Sequence, residues 1–224
     1  MKLLARLAMF LSFLVMFQYA NAASNNILVD QIGNSSTINF TQTGLGNSIG
    51  DPTNHAILNG NSNLITIDQI GNNNIAAYSV DGDGNTLSHQ FTGDYNQLSL
   101  LCVTCSSITM TDTIMGNSNI INRNFDTSAS TSTINITSDN NTVTINNDST
   151  AISGAQSSVD ISGGNGNTVQ IRQTGAASTN GHDATLTILG ATNTVNIDQG
   201  GNVDSNVHAT VTGSGNTMHI NSNY

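Results

Sequence analysis

The chain contains no glutamate, a single proline and few aromatic residues, the last only 4% of its 224 positions. Charged side chains make up 8%, and four bases face fourteen aspartates, for a formal net charge of −10. So small a basic content leaves no footprint for phosphates and argues against a nucleic-acid partner. A composition dominated by Gly, Asn, Ser and Thr would indicate disorder if its apolar residues were scattered. Instead they fall in register.

From Gly60 to Leu100 the chain repeats in elevens. Gly60-Asn-Ser-Asn63, Gly71-Asn-Asn-Asn74, Gly82-Asp-Gly-Asn85 and Gly93-Asp-Tyr-Asn96 each set a glycine three residues before an asparagine. Apolar residues alternate after each marker, as with Ile65 and Ile67 after Asn63 or Leu98 and Leu100 after Asn96. A period of two means strand. Each unit therefore reads as a short strand and a tight arc, where Gly supplies positive φ and Asn tolerates the left-handed region. One unit cannot bury its own apolar face, so units must stack, and the repeat predicts a β-solenoid.

The marker extends back to Ser36 and Asn47 and forward to Asn119, Asn141, Asn167, Asn193 and Asn216, with one turn-like insertion at Asp51-Pro52-Thr-Asn54. Repeat turns fall on Gly44, Gly71, Gly82, Gly93, Gly116, Gly164, Gly190 and Gly213. Later markers lie 22 to 26 residues apart, two elevens plus loop additions. Two and four residues after the eleven markers, every position is apolar except Asp51, His89 and Arg123. That fixes the inward stripe, because a slip of one residue would turn it to solvent. The expected architecture is all-β, with about eight stacked two-strand coils of 11-residue half-repeats in a rod about 40 Å long.

Residues 1–22 read differently. Lys2 and Arg6 form a basic start, Leu7 to Phe17 is an apolar run, and Ala20-Asn-Ala22 is a small-x-small cleavage box. This is the pattern of a secretory signal peptide cut after Ala22, and the run is too short for a spanning helix. Residues 23–224 are then the repeat domain. Its acidity helps keep the unfolded chain soluble during export.

Gln42, Gln69, Gln173 and Gln199 each sit six residues after a marker and two before a glycine. Placed on the same side of stacked coils, these amides, with Asn47 and Asn74, would donate to one neighbouring coil and accept from the other, forming a self-assembly ladder. Gln42-Thr-Gly44-Leu-Gly46-Asn47 and Gln69-Ile-Gly71-Asn-Asn-Asn74, each followed by alternating apolar residues, resemble the repeat of curlins, the subunits of bacterial curli fibres. The resemblance covers most of residues 23–224 in pattern and a few units in full motif. The units of Asn85, Asn96, Asn119 and Asn141 lack one glutamine or both. Membership would imply secretion through an outer-membrane pore and assembly, with a nucleator or sister subunit, into extracellular functional amyloid on the cell surface. Adhesion and biofilm matrix would be its roles.

Other motifs weigh little. Cys102-Val-Thr-Cys105 matches a redox Cys-x-x-Cys, but such a motif opens a helix and the flanks here read as strand and turn. A local disulfide of modest stabilising effect is the expectation for an exported chain. Asp81-Gly-Asp83-Gly-Asn85 mimics the start of a calcium loop, yet Thr86 and Thr92 occupy its sixth and twelfth positions, so it reads as a turn. His55, His89, His182, His208 and His219 share no marker position that would gather them and are expected to be solvated or merely tolerated. No nucleophile, base and oxyanion donors gather in the sequence, so neither enzyme, cofactor nor metal site is expected. Two functions compete. One is a fibre subunit; the alternative is a soluble surface- or ice-binding solenoid built on Thr142/Thr144, Thr185/Thr187 and Thr210/Thr212, pairs that do not share one phase.

Overall fold

A computed structural model describes residues 26–222 apart from 28, 51–55, 72, 94, 103–104, 116–117, 127–128, 138–139, 153, 165, 178–180, 191, 201–204 and 214. The expected signal peptide, the Pro52 insertion, His55 and Gly116 lie outside the described residues. Among the described residues there is no helix, and every regular element is a strand. The first are β1 (Asp30–Ile32), β2 (Thr37–Thr43), β3 (Ala56–Asn59), β4 (Leu64–Ile70), β5 (Ala76–Asp81) and β6 (Asn85–Thr92). The middle is built by β7 (Gln97–Cys102), β8 (Ser107–Met115), β9 (Ile120–Phe125), β10 (Ala129–Ile136), β11 (Thr142–Ile152) and β12 (Ala155–Gly164). The rod ends with β13 (Thr168–Ala177), β14 (His182–Gly190), β15 (Val195–Gln199), β16 (Ser205–Thr212) and β17 (Met218–Ser222).

Odd strands form one parallel nine-stranded sheet and even strands a parallel eight-stranded one, each in chain order. The molecule is therefore a β-solenoid in which an odd strand and the next even strand make one coil. Parallel neighbours are forced by this winding, since each strand meets its counterpart only after a full circuit. The core lies between the sheets and consists of straight columns. Ala76, Leu98, Ile121, Val143, Val169 and Val195 form one of them, paired in register from β5 to β15 and each no more than 1% exposed. Burial of each such Val, Leu or Ile contributes about 1.5–3 kcal/mol, opposed by ordering entropy of similar total size.

The elevens turn out to mark two different corners. Asn47, Asn74, Asn96 and the later markers lead into the nine-stranded sheet, whereas Ser36, Asn63 and Asn85 lead into the eight-stranded one. After Asn85 the second column passes through Ile108, Ser130, Ala155, His182 and Ser205. Asparagine survives at one corner only, which is why the spacing doubles from 11 to 22 or more. The turns are compact enough to require glycine. At Gly71, φ is +147° and a Cβ would lie 1.6 Å from the Gly44 carbonyl oxygen of the coil before. Gly93 meets Gly71, and Gly213 meets Gly190, in the same way. Gly164 differs from the expected arc: it is the last residue of β12 and pairs with Gly190 at the end of β14.

Candidate functional site

The Gly-x-x-Asn marker closes on itself. Nδ2 of Asn96 donates to the Gly93 carbonyl at 3.0 Å, and Asn63 and Asn85 do the same to Gly60 and Gly82 at 2.7 Å. The amide's other proton reaches the coil before. Asn74 donates to Oδ1 of Asn47 at 2.7 Å, Asn96 to Asn74 at 2.6 Å, Asn119 to Asn96 at 2.7 Å and Asn141 to Asn119 at 2.6 Å. Asn167, Asn193 and Asn216 continue the series. The result is one buried ladder with a direction, every donor pointing toward the start of the chain. Its first member, Asn47, has an Nδ2 without a partner among the described residues.

The glutamines do not form a ladder on one side. Gln69 donates Nε2 to Oε1 of Gln42 at 3.1 Å in the eight-stranded sheet, while Gln199 donates to Gln173 at 3.0 Å in the nine-stranded sheet at the far end of the rod. The reason is the corner assignment: Ser36 and Asn63 open even strands, Asn167 and Asn193 odd ones, so an equal offset lands on opposite sheets. Beyond Gln69 the column runs through Phe91, Ile114 and Ile136. Gln69 Oε1 faces no donor among the described residues, which fits its ladder ending at the Phe91 ring.

The middle coils hold a second polar feature. Across the core, Tyr78 on β5 hydrogen-bonds His89 Nε2 on β6. His89 Nδ1 lies 2.6 Å from Asp112 Oδ1 on β8. Arg123 on β9 makes an ion pair with Asp112 through Nη2 and donates from Nη1 to Ser132 Oγ on β10. The ion pair lacks hydrogen-bond alignment, and Arg123 Nε has no partner among the described residues. All five side chains are at most 1% exposed. His89 thus bridges two of them, with Nδ1 toward Asp112 and Nε2 toward Tyr78, and its tautomer sets which nitrogen donates.

Burial works against ionising Asp112, but Arg123 and then His89 overcome it and hold the carboxyl below its ordinary value. For Tyr78, burial and then the Asp112 charge push the phenol well above its ordinary value, with Arg123 offsetting a part. Small side chains make the room: Ser132 occupies the column position that Met110 fills on β8. His89 and Arg123 interrupt the inward stripe in the sequence itself. Asp112 escapes a reading by markers because no asparagine opens β8, though Ile108, Met110, Asp112 and Ile114 alternate and put it inward.

The histidine expectation is corrected in part. His208 and His219 are exposed, but His89 and His182 are buried at 1%, each occupying an inward column position on an even strand. Cys102 and Cys105 are joined in a disulfide with both residues buried, at the corner between β7 and β8. Asp83 serves the arc: its backbone N–H donates to Asn61 and its carboxylate accepts from the Ser106 N–H at 2.7 Å, which lowers its pKa.

At the end of the rod the columns are uncovered. Met218 and Ile220 on β17 continue columns whose other members from β7 to β15 are buried, yet they are 45% and 44% exposed because no described strand follows. Among the described residues the outermost strands are β1 and β17 in one sheet and β2 and β16 in the other. No protein-family model, no curated protein and no solved structure matches this chain, so the end faces, the ladder and the resemblance of its repeat are what a functional reading rests on.

Proposed function

We propose that this is a secreted structural subunit that assembles end to end into extracellular, curli-like amyloid fibres serving adhesion and a biofilm matrix. The observation that carries this reading is the contact that repeats from coil to coil, parallel strands over apolar columns with an asparagine ladder, which among the described residues is left open at β17. Strand β17 leaves a full backbone edge, two apolar columns and the last ladder residue, Asn216, facing outward. An open parallel edge above an apolar stripe is a template for another strand. The beginning of a second copy offers parallel edges at β1 and β2, and stacking it there would extend both sheets in the sense in which each coil extends the last. In keeping with the family resemblance, a nucleator or sister subunit would start growth and an outer-membrane pore would deliver the chain.

The test is growth at the end. Residues 23–224 should form filaments with a cross-β reflection near 4.7 Å, and Met218→Asp with Ile220→Asp should stop elongation while leaving the sheet signal in circular dichroism intact. A chain that stays monomeric at high concentration, with and without seeds, would refute the proposal.

A further inference from the structure

We infer that the outer face of the eight-stranded sheet is a lateral contact through which one filament of this chain lies against another, an inference that rests on the fibre reading above. The face is built by residues alternating with the core columns. Thr86, Thr109 and Thr131 line up in register across β6, β8 and β10, and beside them Ser88, Thr111 and Thr133 form a second row. Threonine is stiff at χ1, so its hydroxyl and methyl hold fixed positions on the pleat. Within these three strands no outward residue is charged.

Shape and charge together favour this face. A chain of net charge −10 repels its copies, and close approach is cheapest where the acids are missing. On the eight-stranded sheet the outward carboxylates flank the neutral window, with Asp68 on β4, Asp160 on β12 and Asp183 on β14. The nine-stranded sheet is also free of outward charge on β7 and β9, but there it is broken by exposed Leu101 and Ile120 and a groove of about 390 Å³ bordered by Leu101 and Arg172, and farther along it carries Arg172, Asp198 and a shift in strand register at Asp148/Ala151. It is uneven as well as charged. Small hydroxyl side chains on a regular sheet pack against a like sheet about 10 Å away by interdigitation.

Size explains why the contact belongs to filaments. Three strands about 4.8 Å apart and some seven residues long cover about 300 Å², well under the roughly 800 Å² per partner of a stable complex. Single subunits therefore stay apart, whereas a filament repeats the window along its length and gains by multivalency.

The experiment compares bundling with elongation. Thr109→Glu with Thr133→Glu should still give cross-β filaments but single ones in electron micrographs, and added salt should restore bundles by screening the carboxylates. The same two charges placed on the nine-stranded sheet as Ser99→Glu with Thr144→Glu should leave bundling unchanged. Wild-type filaments that remain single, or the first variant bundling like the wild type, would overturn the lateral contact and leave end-to-end assembly standing. A wild-type chain that forms no filaments overturns both. Thermal hysteresis by the wild-type monomer would assign the face to ordered water and overturn the contact as well.

Discussion

Coils built from β5 to β10 and coils built from β11 to β16 share one backbone plan and differ in what fills it. In the column that passes through Tyr78, the earlier group places Tyr78, Leu100 and Arg123, while the later strands β11, β13 and β15 place Ile145, Ile171 and Ile197. Within this column the later coils are interchangeable, because one isoleucine stacks on another without leaving a polar atom bare. The middle coils are not, since His89, Asp112 and Arg123 find their partners only when three consecutive coils stack in order. Uniform columns supply bulk stability, and the one described ion-paired cluster supplies a unique order at the cost of desolvating its charges.

The largest effect should come from cutting that cluster. Arg123→Met leaves Asp112 buried without its guanidinium, with His89 alone beside it, and should cost about 3–5 kcal/mol in urea unfolding, whereas Ile171→Met, in the same column, should cost under about 1.5 kcal/mol. Adding Asp112→Leu to Arg123→Met should recover much of the loss, and a double mutant no more stable than Arg123→Met alone would show that the two do not act as a pair. Next in size, Asn141→Ala removes one rung from the ladder and strands Asn119 Oδ1 and Asn167 Nδ2. It should cost about 1–3 kcal/mol by the same assay.

Acid should separate the two regions. Because the folded Asp112 has a depressed pKa, its contribution is present above the ordinary carboxylate value of about 3.9 and is lost as pH falls through the lower folded value. Hydrogen exchange below about pH 4 should therefore release amides of β8 and β9 before those of β13 and β15, and equal protection across all four would contradict the assignment. The smallest change sets the two glycine environments apart. Gly163, at φ +77° with nothing within 4 Å of where a Cβ would sit, should tolerate alanine for about 1 kcal/mol of backbone strain. At Gly71, Gly44 blocks the same substitution.

Much of this was legible in the residues. Alternation after each asparagine placed Ile65, Ile67, Val169 and Ile171 inward, and all are buried. Glycine and asparagine fixed the arcs, because only particular side chains accept those φ values and that proximity. The glutamines show where reading stops: Gln42 and Gln173 have the same local context, yet they lie on different sheets, and an offset counted from a marker does not say which corner the marker holds. His89 and Arg123 likewise stood out as breaks in the stripe without revealing a common partner.

The amino-acid order alone determined the period, the inward face and the need to stack, since these follow from interactions within about a dozen neighbouring residues. Only the tertiary structure decided which coil lies on which, and therefore that Tyr78, His89, Asp112 and Arg123 meet, that asparagines 22 to 27 residues apart share hydrogen bonds, and that the threonine rows fall on a charge-free window. The physical reason is that winding converts large separations along the chain into strand spacings of about 4.8 Å, and the length of each corner loop sets which residues that conversion brings together.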